Sequence, residues 1–295
     1  MEPLWIDQPD ARGRIAAATE PAIVREVARD LVVDGLAVVR GAQLRADCEE
    51  VIREYGEYAA ANRGYVEANL DPAGHEKRLI NFHHVSAAAQ RIGTDEKIMQ
   101  ILDFAFGARA SIYTSLTFKY GTQQPVHRDS PHFATWPRGY YFGVWTALED
   151  TNADNGPLFY YKAAHRVAID EREIYRRSCA QLTSATPQEQ MRHALNLYNG
   201  AVIRMAENYG PPLALELQAG DTVIWHPETP HGGLPAVNPH ATRWSIVFHC
   251  APAVVQVHQH EAFFGHLGAA PPPARYGFRN ADGREIALAG DTTYG

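Results

Sequence analysis

The chain has 295 residues, 45% of them hydrophobic, and 27 Lys and Arg against 34 Asp and Glu give a formal net charge of −7. That length can bury a full core, and an acidic balance with no basic cluster argues against binding nucleic acid by phosphate neutralisation. No apolar run approaches the ~20 residues of a membrane span, and the odd, widely spaced cysteines Cys48, Cys179 and Cys250 suit reduced thiols in a cytoplasmic protein.

In chain order, Met1 to Asp7 lacks the basic and apolar regions of a secretory signal. Ala22 to Val32 reads as a helix, followed by Gly35 and an apolar strand from Leu36 to Val39. Leu44, Cys48, Val51, Ile52, Tyr55 and Ala59 recur at helical spacing and predict a helix laid on the outside of a sheet. From Ser111 to Cys250 most segments are short, β-branched or aromatic, and bounded by Gly, Pro or Asn. Asn155-Gly156 signals a tight turn between two strands. One helix interrupts them: Thr186-Pro187-Gln188-Glu189 is a capping box with Pro at the first helical position. Met191, Leu195, Tyr198, Val202 and Ile203 mark its apolar stripe, which suits core packing or a lid, and Asn199-Gly200 is a candidate kink before Gly210. The pattern predicts a mainly β chain with flanking helices (α+β), built as a jelly roll, the double-stranded β-helix, whose inner face can hold a metal. We read residues 1–295 as one domain: a helical N-terminal part over 15–105, a jelly-roll core over about 105–255 and a C-terminal extension over 256–295.

His127-Arg128-Asp129 carries the chemistry. Residues i and i+2 of a strand share a face, so His127 and Asp129 can hold one metal while Arg128 points away. His231, before Gly232-Gly233, supplies a second imidazole. Two histidines and one carboxylate bind non-haem Fe(II) on one side and leave three positions open. Arg243 opens a strand with Ser245 on its face, a pair suited to gripping a carboxylate. His226 is a weaker alternative to His231. His249 reads as a core histidine facing the barrel, and His83-His84 and His258-Gln259-His260 as surface features.

These segments resemble the phytanoyl-CoA dioxygenase family of Fe(II)/2-oxoglutarate-dependent oxygenases. The resemblance runs from about Asp34 to Cys250. It is carried by Asp34 to Val39, His127 to Ser130, Gly143 to Asp150 with Asn155-Gly156-Pro157-Leu158, Gly220 to His226, His231-Gly232-Gly233 and Arg243. It implies that His127, Asp129 and His231 bind the iron, that Arg243 and Ser245 hold the distal carboxylate of 2-oxoglutarate, and that Trp145 lies against this co-substrate. Gln124, leading into His127, joins the co-substrate candidates. O2 is the third reactant. Asp129 fills the position that related halogenases leave for chloride, so hydroxylation or another oxidation, such as desaturation or ring closure, is expected. One stretch departs: where the family reads Pro-Gly-Ser-His after Leu158 to Tyr161, this chain has Lys162-Ala163-Ala164-His165, which predicts an altered turn beside the mouth of the site.

Ser130, His132, Phe133, Trp136 and Arg138 are the candidate substrate contacts, with Tyr140, Arg166, Asn81 and His83 as further polar neighbours. They suit a small polar or anionic molecule with a ring or sugar-like body. Two rival readings are a cupin-like metalloenzyme that does not use 2-oxoglutarate and a non-catalytic jelly-roll binding module. The first would have no need of Arg243 and Ser245, and the second would produce no succinate. The sequence specifies no substrate and no oligomeric state.

Overall fold

The structure, a computed structural model, describes residues 4–258, 260–265 and 276–295. The N-terminal part carries α1 (Ala11–Ala17), α2 (Ala22–Asp34), α3 (Arg45–Ala61), α4 (Arg63–Glu67), α5 (Ala87–Gly93) and α6 (Glu96–Phe106), interrupted by the strands β1 (Leu36–Val39) and β2 (Leu79–Ile80). Local chemistry sets these bounds. Asp95 caps α6 by accepting from the Ile98 N–H, and Gly107 ends it in the left-handed region. Gly35 ends α2 at φ +78, and a Cβ there would lie 2.4 Å from His165 Nδ1, so the position needs glycine twice over.

Strands β3 (Ala110–Phe118), β4 (Ala134–Trp136), β5 (Phe142–Ala147) and β6 (Leu158–Tyr160) follow, then the helices α7 (Glu171–Gln181) and α8 (Pro187–Tyr209). The remaining elements are β7 (Leu213–Leu215), β8 (Thr222–Trp225), β9 (His231–Gly233), β10 (Ser245–Pro252), β11 (Gln256–His258), α9 (His260–Gly265), β12 (Phe278–Ala281), β13 (Arg284–Ala287) and β14 (Thr293–Tyr294). A nine-stranded sheet runs β1-β8-β5-β10-β3-β13-β12, with β2 on β3 and β14 on β2. A three-stranded sheet runs β7-β6-β9, and β11 pairs with β4.

Period-two alternation sorts the side chains of the large sheet. Phe142, Val144, Ile224, Ile246 and Phe248 turn outward into a core shared with α2, α3, α5 and α6. Trp145, Val223, Trp225 and Val247 turn inward, where Leu158, Tyr160 and Leu217 from the smaller sheet's side meet them. The fold is a double-stranded β-helix, and the space between its sheets is where the ligand-bearing segments end.

Asn155-Gly156 turns the chain between two strands, β5 and β6, which belong to different sheets. Gly156 is required there because a Cβ would stand 2.5 Å from the Leu234 carbonyl. Two expectations need correction, on helix α8 and on the reach of the large sheet. Helix α8 runs unbroken through Asn199-Gly200, with the capping box in place. Its buried stripe is Ala194, Tyr198, Val202 and Ala206, packed with α7 and α9, while Ile203 is 37% exposed. The large sheet also extends beyond 105–255, taking β1 and β2 from the helical part and β12, β13 and β14 from the C-terminal extension.

Candidate metal centre

Two backbone hydrogen bonds bring the first and last ligands together. His127 forms an isolated antiparallel bridge with His231, and each N–H donates to the other's carbonyl at 3.0 Å. The glycines after His231 permit this approach, since a Cβ at Gly232 would lie 2.6 Å from the Gln124 carbonyl. The two ring centroids are 4.4 Å apart. His127 Nδ1 lies 2.9 Å from the Pro125 carbonyl and His231 Nδ1 lies 2.9 Å from the Thr229 carbonyl. A carbonyl only accepts, so the proton is assigned to Nδ1 in both rings, and both Nε2 atoms present lone pairs to the same point.

Asp129 completes the set with its two oxygens held apart in role. Oδ2 accepts from the Tyr141 hydroxyl at 3.0 Å and from Trp225 Nε1 at 2.8 Å. Oδ1 lies 3.6 Å from His127 Nε2. The ligand atoms of His127, Asp129 and His231 all lie within 4.8 Å of one another. Donors placed about 2.1 Å from one ion stand about 3–4 Å from each other, so the spacing fits a single metal. Burial pushes the His231 imidazole down to about 4, against the pull of Asp129, so it is neutral and able to ligate at pH 7. Burial alone would raise Asp129, but His231 and His127 outweigh it and hold the carboxyl well below the usual carboxylate range.

Deeper in the same cavity, of about 650 Å³, Arg243 stands just before β10. Its Nη1 donates to the Gly156 carbonyl at 3.0 Å, and its guanidinium carbon lies 5.8 Å from the Trp145 ring centre. Burial lowers its pKa to about 10, so it stays cationic at pH 7. Arg243 Nε and Ser245 Oγ are both buried without a hydrogen-bond partner. Two orphaned donors beside a buried cation are costly unless an anion arrives, and a carboxylate of 2-oxoglutarate would satisfy both.

The structure divides the other sequence candidates. Gln124, His132 and Phe133 line the cavity, together with Asn81, Trp145 and His249. Ser130, Trp136 and Arg138 are not in its lining. The chain turns after Asp129, whose carbonyl accepts from the N–H of His132 at 2.8 Å and of Phe133 at 3.1 Å. That turn aims His132 and Phe133 inward and leaves Ser130 buried beside Glu228 and Tyr198. Trp136 is 44% exposed on β4. Arg138 pairs with Glu171 and Glu228, over the Phe263 ring. Tyr140 packs in the helix-side core, and Arg166 donates to the Val32 carbonyl.

Among the other histidines, His226 is turned away, with Nδ1 accepting from the Glu228 N–H and Nε2 3.3 Å from Asp7. His249 stacks on Phe133 at 3.8 Å and faces the cavity. His83 is not a surface residue: it is buried, 2.6 Å from Ser115 Oγ, because its short 3-10 turn folds under β3. Of His258-Gln259-His260, Gln259 and the His260 side chain lie outside the described residues. The turn at Lys162 to His165 sits on the α2–β1 junction, with the Ala163 N–H donating to the Asp34 carbonyl and Lys162 paired with Asp34, and it does not line the cavity.

Sequence reasoning missed Tyr141 and Trp225, which orient Asp129. A signal existed for Trp225. Gly143 interrupts an otherwise bulky strand, and a glycine inside a strand marks a close approach. Gly143 pairs with Trp225 in register, and a Cβ there would lie 2.2 Å from the indole. Sequence reasoning also missed the cavity wall formed by the C-terminal residues Ala289, Gly290, Asp291 and Thr293.

Comparison with known proteins gives a consistent picture. The profile of the phytanoyl-CoA dioxygenase (PhyH) family matches residues 31–245. Among solved structures, the epimerase SnoN, in complex with Fe3+, alpha ketoglutarate and nogalamycin RO, is similar with a TM-score of 0.61 at 19% identity, covering 91% of this chain and 100% of that one. EctD from S. alaskensis with 2-oxoglutarate and 5-hydroxyectoine gives 0.62 at 16% identity, covering 91% and 88%. The carbocyclase SnoK from nogalamycin biosynthesis gives 0.61 at 16% identity, covering 84% and 93%. A search of curated protein sequences returned no match.

Proposed function

Because the chain belongs to the phytanoyl-CoA dioxygenase family, and so to the non-haem Fe(II)/2-oxoglutarate-dependent oxygenases, we propose that it hydroxylates a C–H bond of a small polar metabolite. The observation that carries this reading is the pairing of His127, Asp129 and His231 with a buried, half-satisfied Arg243 and an unsatisfied Ser245 in one cavity. A cupin-like metalloenzyme without 2-oxoglutarate would leave those two donors stranded at a cost of about 1–3 kcal/mol each. When bound, iron with 2-oxoglutarate and O2 supplies the oxidising power that breaks the C–H bond, releasing succinate and CO2.

The protein's own contribution is placement. His127 and His231 would hold the metal through Nε2, and Asp129 through Oδ1. Tyr141 and Trp225 keep the second Asp129 oxygen engaged, which favours one-oxygen ligation and keeps the remaining positions free. Arg243 would grip the far carboxylate of 2-oxoglutarate with Ser245, with Trp145 alongside. Trp145, Leu158, Trp225 and Val247 line the same space with apolar surface that keeps water away from the co-substrate.

Anaerobic titration of the Fe(II) protein with 2-oxoglutarate tests the reading. The weak visible charge-transfer band of the chelate is expected, and it is expected to vanish in His127→Ala. Arg243→Gln should raise the 2-oxoglutarate concentration needed by about tenfold or more while iron binding changes little. No band with fully loaded iron would refute the co-substrate assignment. Equal loss of iron and 2-oxoglutarate binding would make Arg243 a structural residue.

A further inference from the structure

The cavity that contains the metal ligands and Arg243 has a second arginine in its lining, Arg78. Its backbone is clamped. The Arg78 carbonyl accepts from the Gly295 N–H at 3.1 Å, Leu79 and Ile80 pair with Tyr294 and Thr293 of β14, and the other edge of β2 pairs with Thr117 and Leu116 of β3. Its guanidinium, by contrast, makes no hydrogen bond and no ion pair within 4 Å among the described residues, although it feels the charge of Asp129. Lys119, the cation that opens the loop after β3, is already paired with Glu76 at 2.6 Å. Asp291 lines the same cavity, yet no ion pair joins it to Arg78.

Charge bookkeeping gives Arg78 a task. Iron(II), the Asp129 carboxylate, a 2-oxoglutarate dianion and the Arg243 guanidinium together carry no net charge. Arg78 is therefore not needed to balance the co-substrate complex. Arg78 is solvent-exposed where it lines the cavity, and a planar guanidinium on a fixed backbone there is suited to a two-oxygen grip on an oxyanion entering from solvent. Beside it the cavity wall is aromatic: Phe133 stacks on His249 at 3.8 Å, and Tyr113 meets Phe133 edge-on at 6.4 Å.

Resting on the function proposed above, we propose that Arg78 is the substrate-anchoring residue, and that the substrate carries an oxyanion, a carboxylate or a phosphate, on a flat body that lies against Phe133. The anion at Arg78 then sets which carbon of the bound molecule lies next to the metal. The site is assembled late in the chain, because β14 closes the edge on which Arg78 sits.

Binding of three probes to the Fe(II)-loaded protein, under argon and with or without 2-oxoglutarate, tests this by calorimetry: phenylacetate, phenyl phosphate and the neutral phenylacetamide. At least one anion is expected to bind about tenfold or more tightly than the amide. Which anion binds better distinguishes carboxylate from phosphate. Arg78→Gln should abolish that preference, Arg78→Lys should restore part of it, and 2-oxoglutarate binding should be unchanged in both variants. Equal binding of anions and amide to the unaltered protein, or an undiminished preference in Arg78→Gln, would overturn the proposal. So would a loss of 2-oxoglutarate affinity in Arg78→Gln as large as the loss for the probes, because Arg78 would then belong to the co-substrate. Failure of the unaltered protein to bind 2-oxoglutarate would remove the function proposed above, whereas the difference in anion preference between the unaltered protein and Arg78→Gln would still read Arg78, since Arg243 is the same in both.

Discussion

The two oxygens of Asp129 are held for different tasks, and the division depends on two aromatic donors. Trp225 reaches Oδ2 because Gly143 leaves room for the indole to lie across β5. Trp225→Phe removes one donor and keeps the packing, so iron affinity should fall about 10-fold, toward the ~100-fold limit for an outer hydrogen-bond partner. Gly143→Ala should cause a similar loss by displacing the indole, with no polar atom removed. Competition with a chelator of known affinity measures both, and unaltered iron binding in both variants would show that Asp129 needs no such support. A second residue-scale effect lies in the turn after β6. Ala163 has φ +61, a left-handed conformation that costs a residue with a Cβ about 1–2 kcal/mol relative to glycine. Ala163→Gly should therefore raise stability by about 1 kcal/mol in urea unfolding, against the usual sense of a change to glycine. A lower midpoint would mean that the gain in unfolded-chain entropy outweighs the relief of strain.

At the scale of elements, the ligand segment is tied to its surroundings through the residue between its two ligands. Alternation sends Arg128 away from the metal, as the His-x-Asp spacing requires, but no local signal marks it as buried, and it is only 2% exposed. Its Nη2 donates to the carbonyls of Ala164 at 2.9 Å and Val167 at 2.8 Å, and its Nη1 lies 3.2 Å from Glu228, which Tyr198 of α8 also approaches. One buried guanidinium thus joins the metal loop, the turn after β6 and the long helix. Glu228→Ala strands that charge and should cost about 3 kcal/mol, whereas Arg128→Met with Glu228→Leu should cost less, because neither charge of the pair is left behind, Arg138 keeps Glu171, and only the donor to the Ala164 and Val167 carbonyls is lost. Urea midpoints decide between them, and equal losses would place the cost in packing. Helices were legible where their stripes and caps are local signals, as in the apolar stripe from Leu44 to Ala59 and the capping box at Thr186. The face that β10 shares with Arg243 was legible at Ser245 because alternation is local too. What could not be read depends on distant pairing. Arg78 is placed at the cavity by β2, which is held between β3 and a C-terminal strand, and His83 is buried where its turn tucks under β3. Nothing within a dozen residues of either position reports those partners.

The whole molecule places its metal ligands where two sheets meet. His231 begins β9 of the smaller sheet, and His127 is bridged to it. Asp129 is held by Tyr141, next to β5, and by Trp225 of β8, both on the large sheet. An ion bound by all three side chains would therefore cross-link the sheets, and the unfolded chain cannot reproduce that site, since His231 lies far along the sequence from the other two. A ligand that binds only the folded state stabilises by about 2.7 kcal/mol at a hundred times its dissociation constant. For a chain of this length that should raise Tm by about 4 °C under argon with Fe(II), and adding a strong chelator should reverse the rise. His231→Ala should remove most of the gain, because His127 and Asp129 alone form a local pair that an unfolded chain also offers. A Tm that ignores saturating iron in the unaltered protein would mean that folding and metal binding are uncoupled. The unfolded chain would then bind iron as well as the folded one, and the assembled triad would add nothing to its affinity.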